Sequence, residues 1–351
     1  MRTHPINMLW LRALLACLLP AGLLQAGEVD RVVLLPDTQK YSETWPEVFE
    51  SQTQWIADHV EAMNIRFVSH LGDIVENGGY DTHSPGNRQE WDRAEEALSA
   101  LDGAVPYGLT IGNHDFDNWY TPQAGSSQFL SRFGPERYED EPWWGGASPD
   151  RLSSYQVTEV AGRDFLFLHL KPDVPGETME WAQDVLDAHP DMPATISTHV
   201  YMKENGRTKF GYMDFYDRTG TWGGHSGDEI FELLVAPNPQ VFMVNCGHVS
   251  SERFQTSVND TGLEVFELLQ DYQNGEMGGQ GYLRIFEFDD DANEIRVRTY
   301  SPWLDAYQTD ADSHFTIPVD FHQRFDIIPE PATLCLVSAG LAGLLRQRRP
   351  N

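Results

Sequence analysis

Three things are scarce in this chain of 351 residues: cysteine, basic side chains and long apolar runs. Of three cysteines, Cys17 and Cys335 lie in apolar segments near the two ends, and only Cys246 belongs to the body. A body with one thiol has no intrachain disulfide, so its stability is left to packing and bound groups. Lys and Arg number 24 against 54 Asp and Glu, a net charge of −30. The end segments hold five of the basic residues and one of the acidic ones, so the body is more acidic still. Such a surface repels nucleic acid and anionic membranes, and no nucleic-acid binding is expected. The apolar runs are short. The 14 residues from Ala332 to Leu345 cover roughly 21 Å as a helix at ~1.5 Å per residue, less than a ~30 Å bilayer core.

Both ends read as addresses. Arg2 and Arg12 precede the apolar run Ala13–Leu24, and Leu24-Gln25-Ala26 offers a small residue for cleavage. This is the pattern of a secretory signal over residues 1–26, with a mature chain starting near Gly27 and export by the Sec translocon. At the other end, Pro329-Glu330-Pro331 is followed by the apolar stretch and by Arg346-Gln347-Arg348-Arg349. Residues 328–351 resemble the PEP-CTERM sorting tail of Gram-negative bacteria. That resemblance implies recognition by an exosortase, transient membrane association through the tail, and a final place at the cell surface or in the extracellular matrix.

Between them, residues 28–325 read as one domain with strand–helix repetition. Arg31–Leu35, Ile65–Leu71 and Val105–Ile111 are apolar strands; Trp45–Met63 and Arg88–Leu101 have helical spacing. Asn118–Arg151, rich in Gly, Pro and aromatics, reads as a long loop over the site. Ser154–Val160 and Asp164–Leu170 form a hairpin around Gly162, Met179–Ala188 and Asp228–Leu234 are helices, and Ala194–Thr198 and Val241–Cys246 are strands. Leu263–Leu269, Gly281–Phe288 and Glu294–Tyr300 read as antiparallel strands, with Asp289–Asn293 a solvated turn between two of them. The pattern predicts an α/β fold, a parallel or mixed sheet covered by helices, whose ligand sites lie beyond the carboxyl ends of strands.

Chemistry-bearing side chains fall at those strand ends: Asp37 and Gln39 in Pro36-Asp37-Thr38-Gln39, Asp73 after Gly72, Asn113-His114-Asp115 after Gly112, then His199 and His248. Taken singly, each has an ordinary structural reading as a turn acid, a helix cap or a core histidine. Taken together, in this order, they resemble the calcineurin-like metallophosphoesterases. The resemblance runs from about Arg31 to Pro302. It implies a four-layer α/β/β/α sandwich of two mixed sheets flanked by helices, and two divalent cations drawn from Mn, Fe, Zn or Mg. It also implies a phosphate-ester substrate attacked by a metal-bound hydroxide. Two divalent cations leave a local positive charge even in so acidic a chain.

By the same resemblance, Asp73 bridges the two metals and Asp37 binds the first. Asn113, His199 and His248 complete the second, with a donor set suited to Mn²⁺, Zn²⁺ or Fe²⁺. His114 protonates the leaving oxygen or steadies the transition state, and Asp115 orients His114 and raises its pKa by charge pairing. The chain departs from the common pattern twice. Gln39 stands where a histidine is usual, and Ser250 in Gly247-His248-Val249-Ser250 replaces a second one, leaving oxygen donors at the first site. Trp181-Ala182, Asp271-Tyr272-Gln273, Gly281-Tyr282-Leu283-Arg284 and Thr299-Tyr300-Ser301-Pro302 are similar to a secreted bacterial branch in which the Gln is the rule. The Tyr of purple acid phosphatases, three residues after the bridging Asp, is replaced by Glu76. Two functions follow: a secreted metal-dependent hydrolase of phosphate mono- or diesters, or a weakly active or inactive metal-binding surface protein with a matrix or adhesion role.

Overall fold

The computed structural model describes residues 29–79, 85–118 and 121–325. Residues 1–26 and 328–351, read from the sequence as a signal and a sorting tail, lie outside them. The first sheet contains β1 (Asp30–Leu35), β2 (Ile65–His70), β3 (Tyr107–Leu109), β13 (Leu283–Asp289), β14 (Glu294–Ser301), β15 (Ala306–Gln308) and β16 (His314–Pro318). The second contains β4 (Trp144–Ala147), β5 (Ser154–Val160), β6 (Arg163–Leu170), β7 (Ala194–Thr198), β10 (Val241–Cys246), β11 (Glu252–Val258) and β12 (Glu264–Gln270). A small ribbon, β8 (Met202–Lys203) and β9 (Gly206–Arg207), stands apart.

Three apolar layers hold the sheets and helices together. Val32, Leu34, Phe67 and Phe286 of the first sheet meet Phe165, Phe167, Phe242 and Phe266 of the second. The Phe67 and Phe167 rings stack at 3.9 Å across this seam. Outside the first sheet, the helices Pro46–Met63 and Pro85–Leu98 bury Val48, Phe49, Ile56, Trp91 and Leu98. Outside the second, Gly176–Ala188 and the turn of helix at Gly227–Ile230 bury Ala182, Leu186 and Ile230. The central strands, such as β1, β7 and β10, are buried on both faces because each sheet is covered twice. The architecture is the α/β/β/α sandwich expected from the sequence.

Two expectations need correction. Asn118–Arg151, read as one long loop, is not without regular structure. It contains the helix Ser127–Phe133 and strand β4, and Phe129, Phe133 and Tyr138 are buried in the core outside the first sheet. Trp144 stacks on Tyr138 at 5.4 Å. Its aromatics gain more from burial than a solvated loop would allow. Leu263–Leu269, read as simply antiparallel, is β12: antiparallel to β11 but parallel to β10, with Cys246 opposite Leu269. That parallel pairing puts the end of β12 beside the end of β10.

The mixed topology decides where the site lies. In the first sheet β1, β2 and β3 run parallel; in the second β6, β7, β10 and β12 do. The carboxyl ends of both groups meet at one end of the seam, bridged by a hydrogen bond of 3.0 Å between the Ser69 and Ser197 hydroxyls.

Candidate metal centre

Asp37 follows β1, Asp73 follows β2, Asn113 opens a helical turn beyond β3, His199 follows β7 and His248 follows β10. All but His248 are at most 1% exposed. Local backbone geometry makes the approach possible. Gly72 has φ +96°, and a Cβ there would lie 2.8 Å from the Gly112 nitrogen and from His199 Nδ1. A Cβ on Gly112 would lie 2.1 Å from Asp73 Oδ1. Only glycine fits where the two loops cross.

The tautomer of His199 follows from its surroundings. Its Nδ1 lies 2.9 Å from the Leu71 carbonyl, which can only accept, so Nδ1 carries the proton. When the ring is neutral, Nε2 presents a lone pair; without a cation, burial is outweighed by the Asp73 charge, which raises the pKa of the ring and favours a second proton there. Asp73 Oδ2 lies 3.1 Å from Nε2, Asn113 Oδ1 3.1 Å and His248 Nδ1 3.2 Å. The candidate ligand atoms of Asp73, His199 and His248 all lie within 4.8 Å of one another. Acceptors turned toward a common point repel unless a cation or an extra proton sits among them. Asp37 Oδ1, Gln39 Oε1 and Asn113 Nδ2 are also buried with no hydrogen-bond partner. This donor set of carboxylates, amides and imidazoles fits divalent cations.

The electrostatics agree. Burial, then the charges of Asp271 and Asp73, push the Asp37 carboxyl well above its ordinary range. Burial and the His199 charge lower His248 to about 3. Burial works to raise Asp73, but the charges of His199 and His114 outweigh it and hold the carboxyl below the usual range. The site holds negative charge that a cation would neutralise.

His114 stands beside the cluster. Its Nδ1 donates to the Glu76 carbonyl at 2.6 Å, its backbone N–H donates to Asp73 Oδ1 at 2.9 Å, and it borders a cavity of about 200 Å³ with Glu76, Asn113 and Phe116. Burial opposes its protonation; the Asp73 charge and the Glu76 carbonyl outweigh that and raise its pKa. Asp115 does not orient this ring. Its Oδ1 accepts from the backbone N–H groups of Ile74 (2.9 Å) and Val75 (3.1 Å), and its Oδ2 from that of Gly112 (2.7 Å). These three backbone N–H groups take most of the acceptor sites of the carboxylate. Asp115 ties the Asp73 loop to the Asn113 loop, and the charge pairing expected of it is the weakest of the influences that raise His114.

Other residues fall as follows. Gln39 is in the site, its amide N–H donating to Gln273 Oε1. His70 is buried; its Nδ1 accepts from the Gly72 N–H and its Nε2 meets Thr38 Oγ1 at 2.9 Å. Arg207 is paired with Glu267 and Asp228, and Arg253 donates to the Glu204 carbonyl, so neither belongs to the cluster. Cys246 is buried in β10. The sequence reading missed Asp271 and Gln273 as neighbours of Asp37, and Tyr212, whose ring meets the edge of His248 at 4.1 Å. Asp271 carried the same signal as the others, an acid directly after an apolar strand.

The calcineurin-like phosphoesterase family model matches residues 30–251, and the PEP-CTERM protein-sorting motif matches 328–349. The chain belongs to the calcineurin-like phosphoesterase family and carries that sorting motif. An uncharacterized protein, YvnB of Bacillus subtilis (strain 168), is 31% identical over 313 residues; the match covers 85% of this chain and 22% of YvnB, so this chain spans about a fifth of its relative. Among solved structures, purple acid phosphatase PPD1 of yellow lupin aligns with TM-score 0.53 and 16% identity over 84% of this chain and 54% of that one. A dimetal phosphatase from Danio rerio aligns with TM-score 0.50 and 12% identity, covering 83% and 99%. GAP50, described as the anchor in the inner membrane complex of Plasmodium, aligns with TM-score 0.50 and 12% identity, covering 87% and 96%. At such identities the likeness concerns the fold.

Proposed function

We propose that this chain is an exported, metal-dependent phosphoesterase, with residues 28–325 as its single folded unit, that hydrolyses phosphate mono- or diesters. The observation that carries the reading is the convergence of Asp73 Oδ2, Asn113 Oδ1 and His248 Nδ1 on His199 Nε2. Two divalent cations held by Asp37, Gln39, Asp73, Asn113, His199 and His248 would neutralise phosphoryl oxygens and lower the pKa of water.

The chain's own groups do the remaining work. Bound at the cavity of about 200 Å³, the ester's leaving oxygen lies near His114. With Nδ1 held by the Glu76 carbonyl, the ring cannot swing away, and Nε2 delivers a proton to that oxygen. The hydrogen bond to the Glu76 carbonyl favours the protonated ring. Asn113, next in sequence, couples the position of His114 to the cations. After passage through the Sec translocon, the sorting motif hands the chain to an exosortase, giving a surface or matrix location in a Gram-negative bacterium.

Hydrolysis of p-nitrophenyl phosphate and bis-p-nitrophenyl phosphate with Mn²⁺ tests this. His114→Ala should reduce kcat by about 10²–10⁴-fold while leaving bound metal unchanged. Absence of turnover across several metals, with metal bound, would favour the second reading, a metal-binding surface protein with a matrix or adhesion role. One observation speaks for that reading: Ser250 is not turned to the cluster, its Oγ instead accepting from the Asn274 N–H at 3.1 Å.

A further inference from the structure

We propose that Asp271 is a metal ligand, supplying from the end of β12 the donor that Ser250 does not, so that the first cation site is an all-oxygen set of Asp37, Asp73, Asp271 and the Gln39 amide oxygen. The proposal rests on the reading of the chain as a two-cation phosphoesterase. Its starting point is the parallel pairing of β12 with β10. This places Asp271 one strand over from Gly247-His248, at the same end of the same sheet.

The surroundings of Asp271 are those of a ligand. It is 1% exposed, and among the described residues no lysine, arginine or histidine pairs with it. Its Oδ1 accepts from the Gln273 backbone N–H at 2.8 Å and its Oδ2 from Gln273 Nε2 at 2.7 Å. The same Nε2 lies 3.3 Å from Asp37 Oδ2, so one amide group spans two buried carboxylates. The backbone N–H of His248 also reaches Asp37 Oδ2, at 3.1 Å, but neutral donors from Gln273 and His248 do not balance two buried negative charges.

Two further atoms point to an occupant. Asp37 Oδ1 and Gln39 Oε1 are buried without any hydrogen-bond partner, in residues no more than 2% exposed. The orientation of Gln39 is fixed, because its N–H donates to Gln273 Oε1 and so leaves its oxygen as the unpartnered atom. Gln273 therefore sets three groups at once: Asp37, Gln39 and Asp271. Ser250 supports the same loop through Asn274. The serine that looked like a lost ligand is a brace for the segment that replaces it.

An all-oxygen set selects a hard cation, Mn²⁺ or Mg²⁺, at the first site. The second, with two imidazoles, favours Zn²⁺, Fe²⁺ or Mn²⁺.

The test is cation binding, without turnover. Full chain stripped with chelator is titrated with Mn²⁺ by calorimetry, with bound metal counted and its electron paramagnetic resonance recorded. Wild type should bind two Mn²⁺ with a spin-coupled signal. Asp271→Asn, which keeps the shape and the acceptor for the Gln273 N–H, should weaken one binding step at least 100-fold and leave the other within about threefold. Its signal should become the six-line pattern of isolated Mn²⁺. In wild type, with no substitution, Mg²⁺ should displace one of the two Mn²⁺ ions. Two unchanged binding steps in Asp271→Asn, with one lost in Asp37→Asn, would overturn the proposal and leave the phosphoesterase reading standing. A wild-type chain that binds no cation would overturn both.

Discussion

Replacing Asp115 separates two accounts of that residue. In the structure its carboxylate accepts three buried backbone N–H groups, from Ile74, Val75 and Gly112. In Asp115→Ala all three lose their acceptor. An orphaned buried donor costs about 1–3 kcal/mol, so the loss totals roughly 3–9 kcal/mol. Part is offset, because the carboxylate is itself costly to bury: burial and the Asp73 charge raise its pKa to about 7. A net destabilisation of about 2–5 kcal/mol remains, a fall in Tm of order 10 °C for a domain of this size. Asp115→Asn should lie between, since its amide oxygen still serves Ile74 and Val75 while its NH₂ opposes the Gly112 N–H. The assay is thermal unfolding followed by circular dichroism, paired with Mn²⁺ affinity, which should fall because Asp73 and Asn113 sit on the two loops released. An unchanged Tm in both variants, with only the pH profile of kcat displaced, would refute the loop-tie account and restore Asp115 as the partner of His114.

The remaining predictions concern other parts of the molecule. Burial raises the Asp173 carboxyl to about 7. In the window between its ordinary value and about 7 the native chain binds more protons than the unfolded one, so stability falls as pH rises. Asp173→Asn should remove roughly 4 kcal/mol of the pH dependence of the unfolding free energy measured in urea across pH 4–7, and parallel pH slopes in the two proteins would contradict this. Lys171, 2% exposed, is held by Asp150 at 2.6 Å and Glu177 at 3.0 Å. Asp150→Ala should cost about 3 kcal/mol, more than Glu177→Ala, whose carboxylate is solvated. Phe67→Ala removes one ring of the stack across the seam and should cost about 3–5 kcal/mol in a denaturant melt. Chelation should lower Tm, since a ligand at 100 times its Kd adds about 2.7 kcal/mol.

Much of this was legible in the sequence because the determinants are local. Apolar runs such as Val32–Leu35 and Phe242–Val244 name their strands, and the acid or histidine directly beyond each marks a site. What stayed hidden depends on pairing across the sheet. Nothing in Glu264–Gln270 tells that β12 lies parallel to β10 while β11 runs back beside it, so Asp271 looked like a residue after an antiparallel strand. Asp115 was misread for the opposite reason. Its neighbour in sequence, His114, is not its neighbour in hydrogen bonding, because its carboxylate accepts from Gly112 and from Ile74 and Val75, in a loop about 40 residues earlier. The segment Asn118–Arg151 was read as a long loop on its Gly, Pro and aromatic content, but composition does not tell that Phe129, Phe133 and Tyr138 are buried in the core.

The most direct test of the central claim is anomalous diffraction from crystals of the full chain grown with Mn²⁺. The account predicts a manganese peak among Asp73 Oδ2, Asn113 Oδ1, His199 Nε2 and His248 Nδ1, and a second beside Asp37. Crystals showing these side chains in place with no anomalous density between them would contradict it.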